Sequence, residues 1–360
     1  MTKLYEGQHM QEWAKRPIPD VHMAAEGMRR LSMMGLIQQV EVPANEGDNE
    51  SEEEFDEEYL DGCMILTRRG RNTLAACDLL RDLLPQLFMH EEPSIEACAL
   101  FAAAQELPTA NARRVAVIMA LLSRDANKPV VGIVNRDSSD FRDFKGQHTV
   151  GVGHKYMHFG WQWMALGYFL WVYQQENEDD LPDKKEMPDM LLHNEEMWRL
   201  RALYDEIAQY YDEISEPAGP EHPFECLKPA RGNLVAATML EEDEVRDVEG
   251  ALLAALHVRY VLIDTDPPAD APPAVDLLTA RAAKVRFQGE SLDHAFLRPK
   301  NQKHKAYTAI YRTLYLPKEG RTHPLMVSGL TYISRDVYLE FGRRNRQEFP
   351  DCYETISILR

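Results

Sequence analysis

The sequence predicts an α+β protein in three parts, and three observations carry that expectation. The first ninety residues hold apolar positions at helical spacing from Val21 to Met34, followed by two short β-prone runs, LIQQVEV and GCMILT. Residues 91-229 read mainly as helices. Residues 230-360 turn to strand-like runs around a Pro-rich linker and end in an α+β segment with an antiparallel hairpin.

At 360 residues the chain has room for two or three ordinary domains, each taking roughly 100 to 200 residues. Its composition, 44% hydrophobic and 28% charged, is that of a globular protein rather than a disordered one. The formal net charge of -19 repels nucleic acid at long range and argues against a role in coating it. The acidity is uneven. Eleven of the residues from Glu41 to Asp61 are Asp or Glu and none is basic, so this stretch supplies more than half of the excess. The five cysteines are widely spaced without a CxxC pair, which points to buried or incidental thiols rather than a disulfide framework or a zinc site. MTKLYEGQHMQEW lacks a basic segment followed by an apolar one, so a cytoplasmic protein is expected. FGWQWMALGYFLWVY, Phe159 to Tyr173, is shorter than the roughly 20 residues of a spanning helix and reads as a buried core helix, with no membrane partner.

In the first part, Asp20 of RPIPD is placed to cap a helix whose stripe is Val21, Ala24, Ala25, Met28, Leu31 and Met34, with Gly35 suited to its C-terminal stop. The two β-prone runs follow, separated by the acidic insert. A second helix is expected after Thr67, carrying Leu74, Ala75, Asp78, Leu79 and Leu83 toward Pro85. MRRLSMMGLI (Met28 to Ile37) and LTRRGRNTL (Leu66 to Leu74) in this order resemble the winged helix-turn-helix regulators of the MarR and PadR type. The resemblance covers residues 1-90 and implies a recognition helix and a wing that meet duplex DNA. It departs from the family at the wing tip, which is a run of carboxylates here. The basic residues on the implied DNA-facing elements are Lys15, Arg16, Arg29, Arg30, Arg68, Arg69 and Arg71.

In the middle part, Ser94 to Arg124 reads as two helices divided at LPTAN with Thr109 as cap, followed by a β-prone PVVGIVN. A second winged helix over residues 94-153 is an alternative reading of this stretch. QQENEDDLPDKKEMPD reads as an exposed charged linker. The apolar repeat Leu192, Met197, Leu200, Leu203, Tyr204, Ile207, Tyr211 and Ile214 predicts a long helix. After residue 230, a partly helical region runs into the strand-like VRYVLIDTD. PPADAPPA cannot hold a helix, and AVDLLTARAAKVRF reads as a helix entering a strand. AYTAIYRTLYLPKEGRTHPLMVSGLTYI reads as two long strands joined at KEGR. This hairpin resembles the closing strands of PAS-like sensory domains.

Few residues suggest chemistry. His154 and His158 lie four apart, as metal ligands on one helical face do, with His148 as a third. No HExxH motif accompanies them, so histidines at the edge of an aromatic helix are expected instead of a metal site. No phosphate loop or nucleophile elbow is present, so no catalytic residue or cofactor is expected. The expectation is a DNA-binding regulator whose later domains sense a ligand or dimerise, with double-stranded DNA as partner. The alternative is a protein-interaction scaffold whose acidic wing docks a basic partner, and an enzyme built on the histidines comes third.

Overall fold

A computed structural model describes residues 21–40, 63–87, 93–124, 130–133, 139–140, 143, 160–182, 185–214, 240–256, 260–264, 274–276, 284–287, 306–315 and 325–344. Helices and antiparallel strands mix throughout, so the α+β class holds.

Helix α1 (Val21–Met33) stops where expected. Gly35 takes φ 66°, and its N–H and that of Leu36 donate back to the Ser32 and Leu31 carbonyls at 2.8 and 2.9 Å, a Schellman closure that uses the left-handed freedom of glycine. The chain then enters β1 (Ile37–Val40), which pairs antiparallel with β2 (Cys63–Leu66) from Ile37↔Leu66 to Val40↔Cys63. Helix α2 (Arg68–Leu87) follows and runs two residues beyond Pro85. Its buried face is Thr73, Ala76, Cys77 and Leu80. The stripe expected from sequence is corrected here: Ala75 and Asp78 lie outside the buried face, because the packing of α3 (Ile95–Ala104) selects the neighbouring one.

Helix α3 and α4 (Ala110–Leu122) form a hairpin as predicted, each capped by a hydroxyl. Ser94 accepts from the Ala97 N–H and Thr109 from the Ala112 N–H, both at 3.2 Å. Beneath them lies α5 (Trp161–Gln174), in which every side chain except Trp171 and Gln174 is buried. A helix apolar on all sides must be sheathed on all sides. Helix α4, strand β3 (Val131–Ile133) and α6 (Asn194–Ile214) do part of this. Arg201 of α6 closes the C-terminal end of α5: it donates to the Gln175 carbonyl at 2.6 Å and lies over Trp198 at 4.3 Å and Tyr173 at 5.5 Å. The charged linker is exposed at Glu178 to Asp180, but Leu181 and Met187 within it are buried. Strand β3 pairs with β4 (Met190–Leu192), beyond that linker.

Helix α7 (Glu242–Leu256) packs on α3, α4 and α8 (Arg335–Arg344), so residues after 230 share the core of the middle helices. The strands β5 (Tyr260–Asp264), β6 (Ala274–Asp276), β7 (Lys284–Phe287), β8 (Ala306–Ile310), β9 (Thr313–Tyr315), β10 (Leu325–Ser328) and β11 (Thr331–Ile333) form one sheet in the order β11-β8-β5-β6-β7-β10-β9. The helix expected at AVD is therefore corrected to a strand. Three such residues carry no periodicity of their own, and pairing with β5 and β7 decides their state. The predicted hairpin is present, but each arm is broken, at Tyr311–Arg312 and at Gly329–Leu330. Its register continues across the break, from Ile310↔Thr331 to Thr313↔Ser328. Since β8 pairs with β5 and β10 with β7, both ends of the sheet order are halves of one hairpin, and the strands form a ring. The pair β7–β10 is parallel.

Candidate nucleic-acid interface

The loop joining α1 to β1 and the start of α2 are held together by one side chain. Thr67 donates its hydroxyl proton to the Gly35 carbonyl at 2.6 Å and accepts from the Gly70 N–H at 3.0 Å, while its own N–H donates to the Leu36 carbonyl at 3.0 Å. Gly70 is needed for this close approach: a Cβ there would run into the Leu36 carbonyl. The Leu-Thr-x-x-Gly spacing thus fixes α1 relative to the hairpin and α2, and so fixes where the arginines of both helices lie.

Arg29, Arg30, Arg68 and Arg71 are all exposed, and Arg69 is half-buried. Arg29 reaches Met33 Sδ at 2.9 Å along its own helix. Arg71 donates to the Leu66 carbonyl at 3.0 Å, which seats it beside the end of β2. Arg30 and Arg68 point toward carboxylates of the neighbouring hairpin. Arg30 Nη2 is 3.5 Å from Oε1 of Glu96, which is buried at the start of α3, and Arg68 Nη2 is 3.8 Å from Oε1 of Glu106, just beyond its end. Asn72 also donates to Glu106, at 3.4 Å. The Arg68–Glu106 pair is exposed at both ends and worth under about 1 kcal/mol, so a phosphate can compete for Arg68, whereas Arg30 faces a buried carboxylate and is held more firmly. Nothing local in the sequence marks Glu96 and Glu106 as counter-ions; the fold brings them to the arginines. Lys15 and Arg16 lie outside the described residues, as do the acidic insert and His148, His154 and His158. Among the described residues no cluster of three metal-ligating side chains occurs.

No family model matches this chain. No curated protein matches it either. Its chemistry has therefore to be read from its own residues. Two further places in the fold bear on a site. Cys77 of α2 and Cys98 of α3 are free and buried; the interaction between the two thiols holds Cys77 below its usual range and, with burial, pushes Cys98 up. A cleft lined by Ser94, Glu96, Ser123, Gln162, Arg312 and Thr331 has about 20 Å³ of free space, enough for a water and far below a metabolite pocket. No helix among the described residues is long and apolar enough to cross a membrane.

Proposed function

We propose that residues 1-90 form a winged helix that binds duplex DNA, with α1 as the recognition helix and β1–β2 as the wing strands. The observation that carries this reading is the Thr67–Gly35–Gly70 junction, which sets α1, the hairpin and α2 in one unit with Arg29, Arg68 and Arg71 exposed. The described order helix, strand, strand, helix is the latter part of the order that the MarR and PadR resemblance implies, which supports the reading. On this reading the later helices and sheet sense a ligand or dimerise.

A second reading is favoured by the pairs Arg30–Glu96 and Arg68–Glu106: the same unit acts as a scaffold for a protein partner, its arginines serving internal contacts. Salt dependence separates the two. Wild type and an Arg29→Ala, Arg68→Ala, Arg71→Ala variant are titrated into labelled random duplex at several salt concentrations. DNA binding through these residues predicts a log–log slope that falls by about 2 to 3 in the variant, about 0.9 for each phosphate that is no longer neutralised. An unchanged slope, or no duplex binding by the wild type at low salt, sinks the DNA reading.

A further inference from the structure

We propose that the C-terminal ring of strands binds single-stranded nucleic acid, as a site separate from the duplex site proposed above. Its topology is the first observation. Counting each hairpin arm as one strand, β5, β6, β7, the arm β8–β9 and the arm β10–β11 close in the order one, two, three, five, four and back to one. The third and fifth are parallel and every other pair is antiparallel. This is the arrangement of the five-stranded Greek-key barrel that takes oligonucleotides and oligosaccharides across its second and third strands. Here those strands are β6 and β7.

Fold alone does not choose a ligand. Charge does. Between Arg281 and Arg321 the chain has ten Lys or Arg and three Asp or Glu, against thirty and fifty-six in the rest of the protein. A stretch of +7 in a chain of -19 is a local excess that a polyanion would meet favourably. Two of the ten, Lys284 and Arg286, lie on β7, the third strand of the ring. Arg312 is committed elsewhere, over the Trp161 ring at 4.4 Å. In sequence the same stretch carries Phe287, Phe296, Tyr307 and Tyr315 between its basic residues, while Tyr311 is buried in the core. Basic residues interleaved in sequence with aromatic ones suit a strand whose bases are unpaired and discriminate against a neutral oligosaccharide.

The test uses the full chain. A fluorescein-labelled twenty-nucleotide oligo-dT is titrated at low and moderate salt, and the same protein is acetylated at lysine with and without the oligonucleotide and mapped by mass spectrometry. The expected results are salt-dependent binding and protection of Lys284 and of lysines in the 300–318 stretch. A Lys284→Ala, Arg286→Ala variant should lose about tenfold in affinity and about one unit of salt slope, and the Arg29, Arg68, Arg71 variant should bind oligo-dT as wild type does. Absence of binding at low salt, equal acetylation of Lys284 with and without oligo-dT, or loss of oligo-dT binding only in the N-terminal variant overturns the proposal. Tighter binding of a neutral oligosaccharide than of oligo-dT does so as well. The N-terminal variant makes this failure distinguishable from failure of the duplex reading.

Discussion

Glu249 shows how one side chain couples the fold to pH. It lies on α7, 5% exposed, and accepts from the Ser334 N–H at 3.2 Å and the Ser334 hydroxyl at 2.8 Å, closing the N-terminus of α8. Burial pushes its carboxyl from 4.5 up to about 7, against the pull of the Ser334 bonds and of Arg246. A carboxyl with a raised native value binds more protons folded than unfolded, so its contribution is fully present below pH 4.5 and is lost as pH rises toward 7. The loss is of the order of 3 kcal/mol at its end. Glu249→Gln keeps a carbonyl acceptor and removes the charge. Relative to wild type it should be about 1 to 3 kcal/mol more stable at pH 8 and near equal at pH 4.5. Urea denaturation at the two pH values checks this, and equal differences at both would refute it.

At the level of elements, the joint between α5 and the ring rests on glycine. Gly160 precedes α5 with φ 114° and ψ −164°, bridges to Thr331, and brings the Trp161 N–H to the Leu330 carbonyl at 2.8 Å. A Cβ on Gly160 would meet the Leu330 carbonyl and the Thr331 Cα. Gly160→Ala should therefore cost about 2 to 4 kcal/mol. Gly250, inside α7 with open space where a Cβ would go, gives the opposite sign: Gly250→Ala should stabilise by about 0.5 to 1 kcal/mol. Thermal melts followed by tryptophan fluorescence compare the two, and a harmless Gly160→Ala would show that the joint tolerates movement. Local signals were enough where the element supplies its own evidence: Gly35 as a stop, Thr109 as a cap, and the apolar repeat of α6 from Met197 to Ile207 were readable in sequence, whereas Leu192, expected at the head of that helix, lies in β4. They failed where a distant partner decides. The face that α2 buries depends on α3, and the strand state of Ala274–Asp276 depends on β5 and β7. The arginines proposed for the site are singled out by their place in MRRLSMMGLI and LTRRGRNTL, while the counter-ions Glu96 and Glu106 carry no local signal. Averaging charge over the whole chain also hid the basic stretch on and around β7.

On the scale of the molecule, charge is segregated along the chain into an acidic insert within the first ninety residues and a basic stretch from Arg281 to Arg321. Phosphate repulsion by the insert predicts that removing residues 46 to 58 strengthens binding to random duplex at low salt, roughly two- to tenfold. Fluorescence anisotropy on the shortened chain measures it, and unchanged or weaker affinity would place the insert away from DNA or give it contacts of its own. The joint between α5 and the ring has a consequence in time. The Gln162 N–H is bonded to the Thr331 hydroxyl, 169 positions later. At a synthesis rate of about 5 to 20 residues per second, the aromatic helix leaves the ribosome roughly 10 to 30 s before the strand that covers its first turn exists. For that interval Trp161 has neither Arg312 above its ring nor the Leu330 carbonyl at its backbone. For that time an apolar first turn is exposed that the finished fold keeps covered.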